Sequence, residues 1–490
     1  MERPPGDRAN RRPLSLPAVA ALCSLATSAR AEEPPAEEPR VDVMHILAAR
    51  GLHDLEDERY NVYGQITLIG HGKAPFSAKY TNLGGSNKSL LPTAEGAWTG
   101  TATLFLGVKL WPGGEAYVVP EVISMRPLSN LSGLGGAIQN AEMQKGGSPA
   151  PLVYLARAYL RHTFGLGGGR EQKSSEEMQL GTMVDRRRLT LTLGKLSPLD
   201  ILDKNSFTSD VRKQLISLAF MTHASWDFAT DARGYTWGAA AELYVGDLVV
   251  RYMHTAVPLH PNDLDMDLRF WKYYGDQMEL EYDYHLHGWP GAARLLTYRN
   301  HENMGRFDEA VATHEGFPSH NAAACVGFHY TSTNPTAPDL CWVRRPNDKF
   351  GVGINLEQSI GDSVGLFARA MYSDGQTEVY AYMPADRSFS FGALIKGSSW
   401  KRPRDLLGAA VGTSFISGAH ATYLARGGVD GFIGDGALKQ APEATLELLY
   451  SVRLLDPLWF SVDYQHVIHP AYNADRGPVD IGGGRLHVEL

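Results

Sequence analysis

The sequence predicts an all-β chain: a transmembrane antiparallel β-barrel of about 16 strands, with short periplasmic turns and long extracellular loops. Three observations predict it. Segments throughout the chain alternate apolar and polar residues with period two, tight turn signals alternate with long polar stretches, and the alternation runs on to the last residue, Leu490.

The elements follow in chain order. Arg8, Arg11 and Arg12 precede an apolar, small-residue stretch from Leu14 to Thr27, and Ala29-Arg30-Ala31 closes it. A basic lead, a short apolar run and a small-x-small site mark residues 1–31 as a cleaved export signal. A membrane anchor needs about 20 apolar residues; this run is shorter and broken by Pro17. Bulky Leu22 before Cys23 argues against a lipoprotein signal. Residues 32–56 form an acidic, Pro-rich N-terminal segment, expected to be flexible or periplasmic. The barrel domain then occupies 57–490.

Composition narrows the class without deciding it. The chain has 46 basic and 54 acidic residues, a net charge of −8 and no dense basic run, which argues against nucleic acid as a partner. Beyond the leader no stretch is apolar for long enough to cross a bilayer as a helix. The 51 glycines and 22 tyrosines suit many tight turns and amphipathic aromatics. A hydrophobic content of 43% fits a soluble protein, and fits equally a barrel in which every second strand residue faces lipid.

Periodicity separates these. From Met278 to His287 every even position (Met278, Leu280, Tyr282, Tyr284, Leu286) is apolar or aromatic, and every odd one is polar. Period two gives a strand one greasy face and one wet face. The same alternation recurs in Ala102, Leu104, Leu106, Val108 and Leu110, in Leu189, Leu191 and Leu193, and in Leu446, Leu448, Tyr450 and Val452. Leu458, Phe460, Val462 and Tyr464 repeat it before the end. Hairpin breaks are expected at Pro112-Gly113-Gly114, Gly246-Asp247, Trp289-Pro290-Gly291, Gly361-Asp362 and Asp456-Pro457. Between them lie long polar stretches such as 126–151, 301–349 and 417–441. An even, closed strand count leaves no edge, as the bilayer requires, and a barrel of this size encloses an aqueous lumen. In the last strand Leu486, Val488 and Leu490 alternate with Arg485, His487 and Glu489. Such a strand is the assembly signal of outer-membrane barrels; these usually end in Phe, and this one ends in Leu490.

Motifs for other chemistry fall short. Gly165-Leu166-Gly167-Gly168-Gly169-Arg170 lacks the Gly-Lys-Ser/Thr ending of a phosphate loop and reads as a turn. His314-Glu315 with His320 has the wrong spacing for a zinc helix. His285 and His287 share a strand face on the alternation and are expected as solvated lumen histidines, not a metal pair. No Gly-x-Ser-x-Gly elbow occurs, and no carboxylate pair has the context of an acid/base couple. No catalytic residue, cofactor or metal is expected. The two cysteines beyond the leader, Cys325 and Cys341, share the 301–349 stretch, so in an oxidising envelope a disulfide bracing that loop is expected.

An ordered series of motifs resembles the carbohydrate-selective (OprB-type) porins. It comprises Trp226-Asp227-Phe228-Ala229-Thr230-Asp231-Ala232-Arg233-Gly234-Tyr235-Thr236-Trp237-Gly238, Gly194-Lys195-Leu196 and Leu199-Asp200-Ile201-Leu202-Asp203-Lys204-Asn205. Gly353-Ile354-Asn355-Leu356-Glu357-Gln358, Gly365-Leu366-Phe367-Ala368-Arg369, Trp400-Lys401-Arg402-Pro403-Arg404-Asp405 and Ile433-Gly434-Asp435-Gly436 continue it. Asp463-Tyr464-Gln465, Pro470-Ala471-Tyr472-Asn473, Asp475-Arg476-Gly477-Pro478, Arg485 and His487 complete it, covering nearly the whole chain beyond the leader.

The resemblance implies passive diffusion of glucose-like sugars and other small polar solutes through a water-filled pore. A sugar that sheds hydration needs replacement partners, so a constriction lined by hydrogen-bonding side chains is expected. Lumen-facing candidates by alternation are Glu121, Arg157, Tyr159, Arg161, Glu242, Arg299, Glu357, Arg369, Glu447 and Asp463, each weighed against a plain solvated wall residue. Arg157 and Arg161 share a face with Tyr159 between them, free to bind hydroxyls or pair with Glu121, while Tyr154, Ala156, Ala158 and Leu160 are expected toward lipid. Asp227, Asp231, Arg233 and Gly234 suit a turn fixed by charge-assisted hydrogen bonds better than a solute contact.

Three function classes stand. The first is a sugar porin of the outer membrane, with sugars, outer-membrane lipid and lipopolysaccharide, and the barrel-assembly machinery (through the last strand) as partners. The second is a channel for other solutes, such as organic acids or an exported polysaccharide. The third is an exported soluble β-rich carbohydrate-binding protein or enzyme. Monomer and trimer are both open.

Overall fold

The computed structural model describes residues 42–325, 332–381 and 383–490. The expected export signal, residues 1–31, lies outside them, as does the acidic stretch up to residue 41. Among the described residues sixteen antiparallel strands close into one barrel. They are β1 (Tyr60–Lys73), β2 (Glu95–Trp111), β3 (Gly114–Arg126), β4 (Leu152–Gly165), β5 (Arg188–Leu196), β6 (Thr236–Val245), β7 (Leu248–Thr255) and β8 (Tyr274–Leu286). The second half is β9 (Trp289–Met304), β10 (Arg345–Ile360), β11 (Val364–Ser373), β12 (Arg387–Gly397), β13 (Arg402–Phe415), β14 (Glu443–Leu455), β15 (Leu458–Ile468) and β16 (Val479–Glu489). Each strand pairs with its neighbours in sequence, and β16 closes on β1 in the register Ile66↔Val488 and Leu68↔Leu486. The terminal Leu490 extends this pairing: its N–H donates to the Gly64 carbonyl (2.8 Å), and the Gly64 N–H donates back (2.9 Å).

The outer face is apolar, as the alternation requires: Leu68, Leu104, Leu193, Leu280, Phe391 and Val462 all point outward and are exposed. The connections at one end are short, at 112–113, 246–247, 287–288, 361–363, 398–401 and 456–457. One is long. Residues 166–187 fold into a hairpin of Arg170–Lys173 against Thr182–Asp185, entered through Gly167, Gly168 and Gly169 at positive φ. The other end carries the long loops, among them 127–151, 197–235, 305–344 and 416–442.

Two local expectations need correction. The turn expected at Trp289-Pro290-Gly291 lies at His287-Gly288, both at positive φ (52° and 85°), the pattern of a type I′ hairpin. Pro290 sits at the start of β9, opposite His285, where a missing N–H is tolerated. His287 is thus a turn residue and shares no strand face with His285. The second concerns β4. Val119 pairs with Arg157 but Pro120 pairs with Leu155, so Ala156 is an extra, bulged residue. The bulge turns Tyr154 and Ala156 into the lumen instead of toward lipid and leaves Leu155 and Leu160 outside. Proline, with no N–H to give the ladder, accounts for the break.

The lumen is not empty. Loop 197–235, carrying the short helix α2 (Leu218–Met221; α1 is given below), folds inward. Its Leu215, Ile216, Ala219 and Phe220 pack on the inward residues Ile69, Phe367, Leu394, Ala410 and Leu449 of the wall. Ahead of β1, residues Val43–Ala49 form α1 where a flexible segment was expected. Its Met44 is fully buried among Tyr63, Phe105, Val119, Ala156 and Tyr235, so this helix lies within the barrel. Seven residues are too few for an isolated helix to persist in water, so the Met44 notch and the Asp42 cap, which accepts the His45 N–H, hold it. At the loop end α3 (Phe307–Gly316) and α4 (Gly418–Ala425) pack together, with the Phe307 ring stacked on His420 at 4.2 Å. Cys325 and Cys341 are joined as a disulfide in the 305–344 loop, Cα atoms 6.4 Å apart.

Candidate functional site

Between the inward loop and the β4–β9 wall lies a cavity of about 620 Å³, bordered by Arg157, Asp200, Lys204, Arg212, Arg251 and Arg294 among others. The strands place their charges there by alternation, and the loop supplies the rest. Arg157 of β4 donates through Nε (2.7 Å) and Nη2 (2.6 Å) to the two oxygens of Asp200, a bidentate pair. Asp200 sits in a capped turn and also accepts the Ser197 N–H at 3.0 Å. Burial pushes the Asp200 carboxyl up, but the Arg157 guanidinium, joined by the Ser197 N–H and the charge of Lys204, more than offsets it and holds it below the usual carboxylate range. Tyr235 lays its ring beside Arg157, 5.1 Å from the guanidinium.

The expected alternative of Arg157 pairing with Glu121 is not what occurs. Glu121 instead accepts from Arg212 Nη2 (2.7 Å), Lys145 Nζ (3.2 Å), Thr103 Oγ1 (2.7 Å) and Tyr154. Arg161 donates to the Met178 carbonyl (3.0 Å) and lies over the rings of Tyr117 and the buried Tyr159. Further round, Arg251 bridges Glu242 (3.2 Å), Glu279 (2.9 Å) and Glu281 (3.2 Å). Arg294 joins Glu281 to Glu357, the latter at 3.2 Å.

Three of the remaining lumen candidates, Glu357, Arg369 and Glu447, fasten the inward loop, while Asp463 bonds within the wall. Glu357 accepts from the Ser206 N–H (2.7 Å) and Oγ (3.0 Å). Arg369, almost fully buried, donates to Asp203 (3.1 Å) and to the carbonyls of Phe220 (2.7 Å) and Thr208 (2.9 Å). Glu447 accepts the N–H groups of Ile216 (2.6 Å) and Ser217 (3.0 Å). Asp463 contacts His71 Nε2 at 3.1 Å and Gln465 Nε2 at 2.9 Å.

Arg299 does not face the lumen. It lies on the outer face near the loop end, paired with Asp348 at 3.0 Å, because Tyr298 and Asn300 take the inward positions of β9.

Asp231 accepts the Arg233 N–H (2.9 Å) and Tyr235 N–H (3.0 Å) across a turn in which Gly234 has φ 91°. Asp227 accepts the Tyr380 and Ala381 N–H groups and pairs with Lys349 at 3.1 Å. Arg233 donates to the Lys145 carbonyl at 3.0 Å. These four residues tie the end of the inward loop to its surroundings. Cys325, Cys341 and Asp339 come within metal-ligand reach of one another, but both sulfurs are taken up in the disulfide.

Sequence reasoning missed Arg251 and Arg294, which alternation in β7 and β9 marks as inward. It also missed Asp200, Lys204 and Arg212 as lining residues, because a loop has no period to read. Arg485, quoted above only for its place in the last strand, donates to the loop carbonyls of Val211 (2.7 Å), Gln214 (2.6 Å) and Lys213 (3.1 Å).

Comparison with known proteins agrees with this architecture. Residues 101–490 match the family described as carbohydrate-selective porin, OprB family. The high-pH structure of OprB from Pseudomonas putida superposes with a TM-score of 0.64 at 15% identity, covering 91% of this chain and 97% of that one. Two further structures are more distant. The outer-membrane channel DcaP of Acinetobacter baumannii has a TM-score of 0.47 at 11% identity, covering 88% of this chain and 97% of that one. Pseudomonas aeruginosa OpdK with vanillate has 0.40 at 11% identity, covering 88% and 98%. No curated protein sequence matches the chain. The chain belongs to the carbohydrate-selective porin, OprB family, and is an outer-membrane porin for small solutes.

Proposed function

We propose that the barrel lets glucose-like sugars and other small polar solutes diffuse passively across the outer membrane of a Gram-negative cell. The observation that carries this reading is the cavity between loop 197–235 and the β4–β9 wall, bordered by Arg157–Asp200, the Arg251 and Arg294 pairs and the face of Tyr235. Such a passage offers donors and acceptors to hydroxyls that leave water, so the desolvation of the sugar is offset along the path. The bound charges brace the loop and keep the opening at a set width. The protein performs passage and no covalent step.

Export by the signal over residues 1–31, its cleavage, contact with lipopolysaccharide at the outer face, and recognition of β16 by the assembly machinery belong to the same reading. Swelling of liposomes that contain purified protein tests it: uptake of glucose faster than in protein-free vesicles is expected, and equal rates overturn it.

A further inference from the structure

The cations that reach the cavity differ in how far the protein has already engaged them. Arg157 closes on Asp200, Arg212 on Glu121 and Glu142, Arg251 on three glutamates, and Arg294 on Glu281 and Glu357. Guanidiniums held in this way have their donors committed and their charge met by carboxylates, so they shape the passage more than they pull on an anion.

Lys204 is different. Its backbone is pinned between Asp203, which holds Arg369, and Asn205, whose Nδ2 donates to Asn355 Oδ1 (2.8 Å). Its own carbonyl accepts from Asn355 Nδ2 at 3.2 Å. The side chain borders the cavity and is exposed to it. Among the described residues no hydrogen bond or ion pair reaches its ammonium. The charged groups that act on it are Glu242 and Asp200, which attract, and Arg251 and Arg161, which repel. Enclosure by the barrel, the leading influence, draws its ammonium below the ordinary lysine value. A cation whose backbone is pinned, and whose ammonium no described group engages, thus borders the cavity.

We propose that Lys204 is a specificity-determining residue of the passage, receiving the anionic group of an acidic sugar while the neighbouring fixed pairs take its hydroxyls. The inference rests on the porin reading and deepens it: anionic polyols join neutral sugars as solutes. Gluconate is the probe, and single channels in planar bilayers are the readout.

In the wild type, gluconate is expected to reduce the current carried by potassium chloride. In Lys204→Gln the apparent affinity for gluconate is expected to fall about tenfold, the size of one lost hydrogen-bonded charge contact. The reversal potential in a salt gradient is expected to move toward cation selectivity. Lys204→Met repeats the removal should the first variant fold poorly, and Lys204→Arg, which keeps the charge, is expected to hold both properties near the wild type. Gluconate block and reversal potential unchanged in the charge-removing variants overturn the proposal. Glucose swelling of wild-type vesicles is read alongside: if it fails, the sugar-porin reading falls, whatever Lys204 does.

Discussion

Two walls of one lumen are built from the same alternating strands and end as opposites. On β11–β14 the inward residues Phe367, Leu394, Ala410 and Leu449 are dry, packed under Leu215, Ile216 and Phe220 of the inward loop. On β4–β9 the inward residues Arg157, Arg251, Glu281 and Arg294 line the cavity. The difference teaches that the strands alone do not decide where the pore runs. Loop 197–235 leans on one wall, where apolar residues reward burial, and leaves the charged wall open, where burial would cost desolvation.

The strongest way to break this asymmetry is Arg369→Ala. It leaves Asp203 buried without its cation, a loss of about 3–5 kcal/mol for a buried pair with one partner removed. The loop should lift from the dry wall, so the heat-modified form on gels should appear at lower temperature and single-channel conductance should rise. A variant with unchanged conductance would mean that the loop is held without this anchor.

Next in size is Met44→Asp, which places a charge in the apolar notch of α1. Burial of one such side chain is worth about 1.5–3 kcal/mol, and a seven-residue helix has little else to keep it docked. Conductance and the uptake of a disaccharide relative to glucose should both increase, while Met44→Leu should leave them as they are. Equal disaccharide ratios in all three proteins would remove α1 from the size filter.

Arg157→Ala combined with Arg161→Ala acts on the wet wall only. The barrel should stay folded, because its strand ladder and the loop anchors of the other wall remain. Two fixed positive charges are lost from this wall, so ion selectivity should shift toward cations and hexose swelling rates should change. Unaltered swelling together with an unaltered reversal potential would assign both arginines to a plain wall.

Arg299→Ala sharpens the comparison from outside. The residue is on neither wall, and its exposed pair with Asp348 is worth about 0–1 kcal/mol. Conductance, selectivity and thermal stability should stay at wild-type values. A change in any of the pore properties would put Arg299 back into the lumen.

How much was legible in the sequence follows the period. Met278–Leu286 and Leu458–Tyr464 read as strands because lipid on one side and water on the other force the two-residue repeat. Glu121, Arg157, Glu242, Glu357, Arg369, Glu447 and Asp463 were placed inward by the same repeat. Arg299 was misplaced because a charged residue near the rim is tolerated on the outer face, where the cost of facing lipid has fallen. Tyr154 and Ala156 were misplaced because a bulge shifts the repeat by one residue, and Pro120 on the partner strand, not β4 itself, carries its cause.

By itself the sequence determined the barrel, the approximate strand count, the sidedness of turns and loops, the pairing of Cys325 with Cys341, and the family. Each of these depends on local pattern, on residue type or on an ordered series of motifs. The tertiary structure alone decided that loop 197–235 and α1 enter the lumen, that Arg157 closes on Asp200 and not on Glu121, and that no partner among the described residues reaches the Lys204 ammonium. These outcomes turn on contacts between segments far apart in the chain. They are settled by which buried charge finds a partner and which apolar face finds a wall, and neither leaves a period in the sequence.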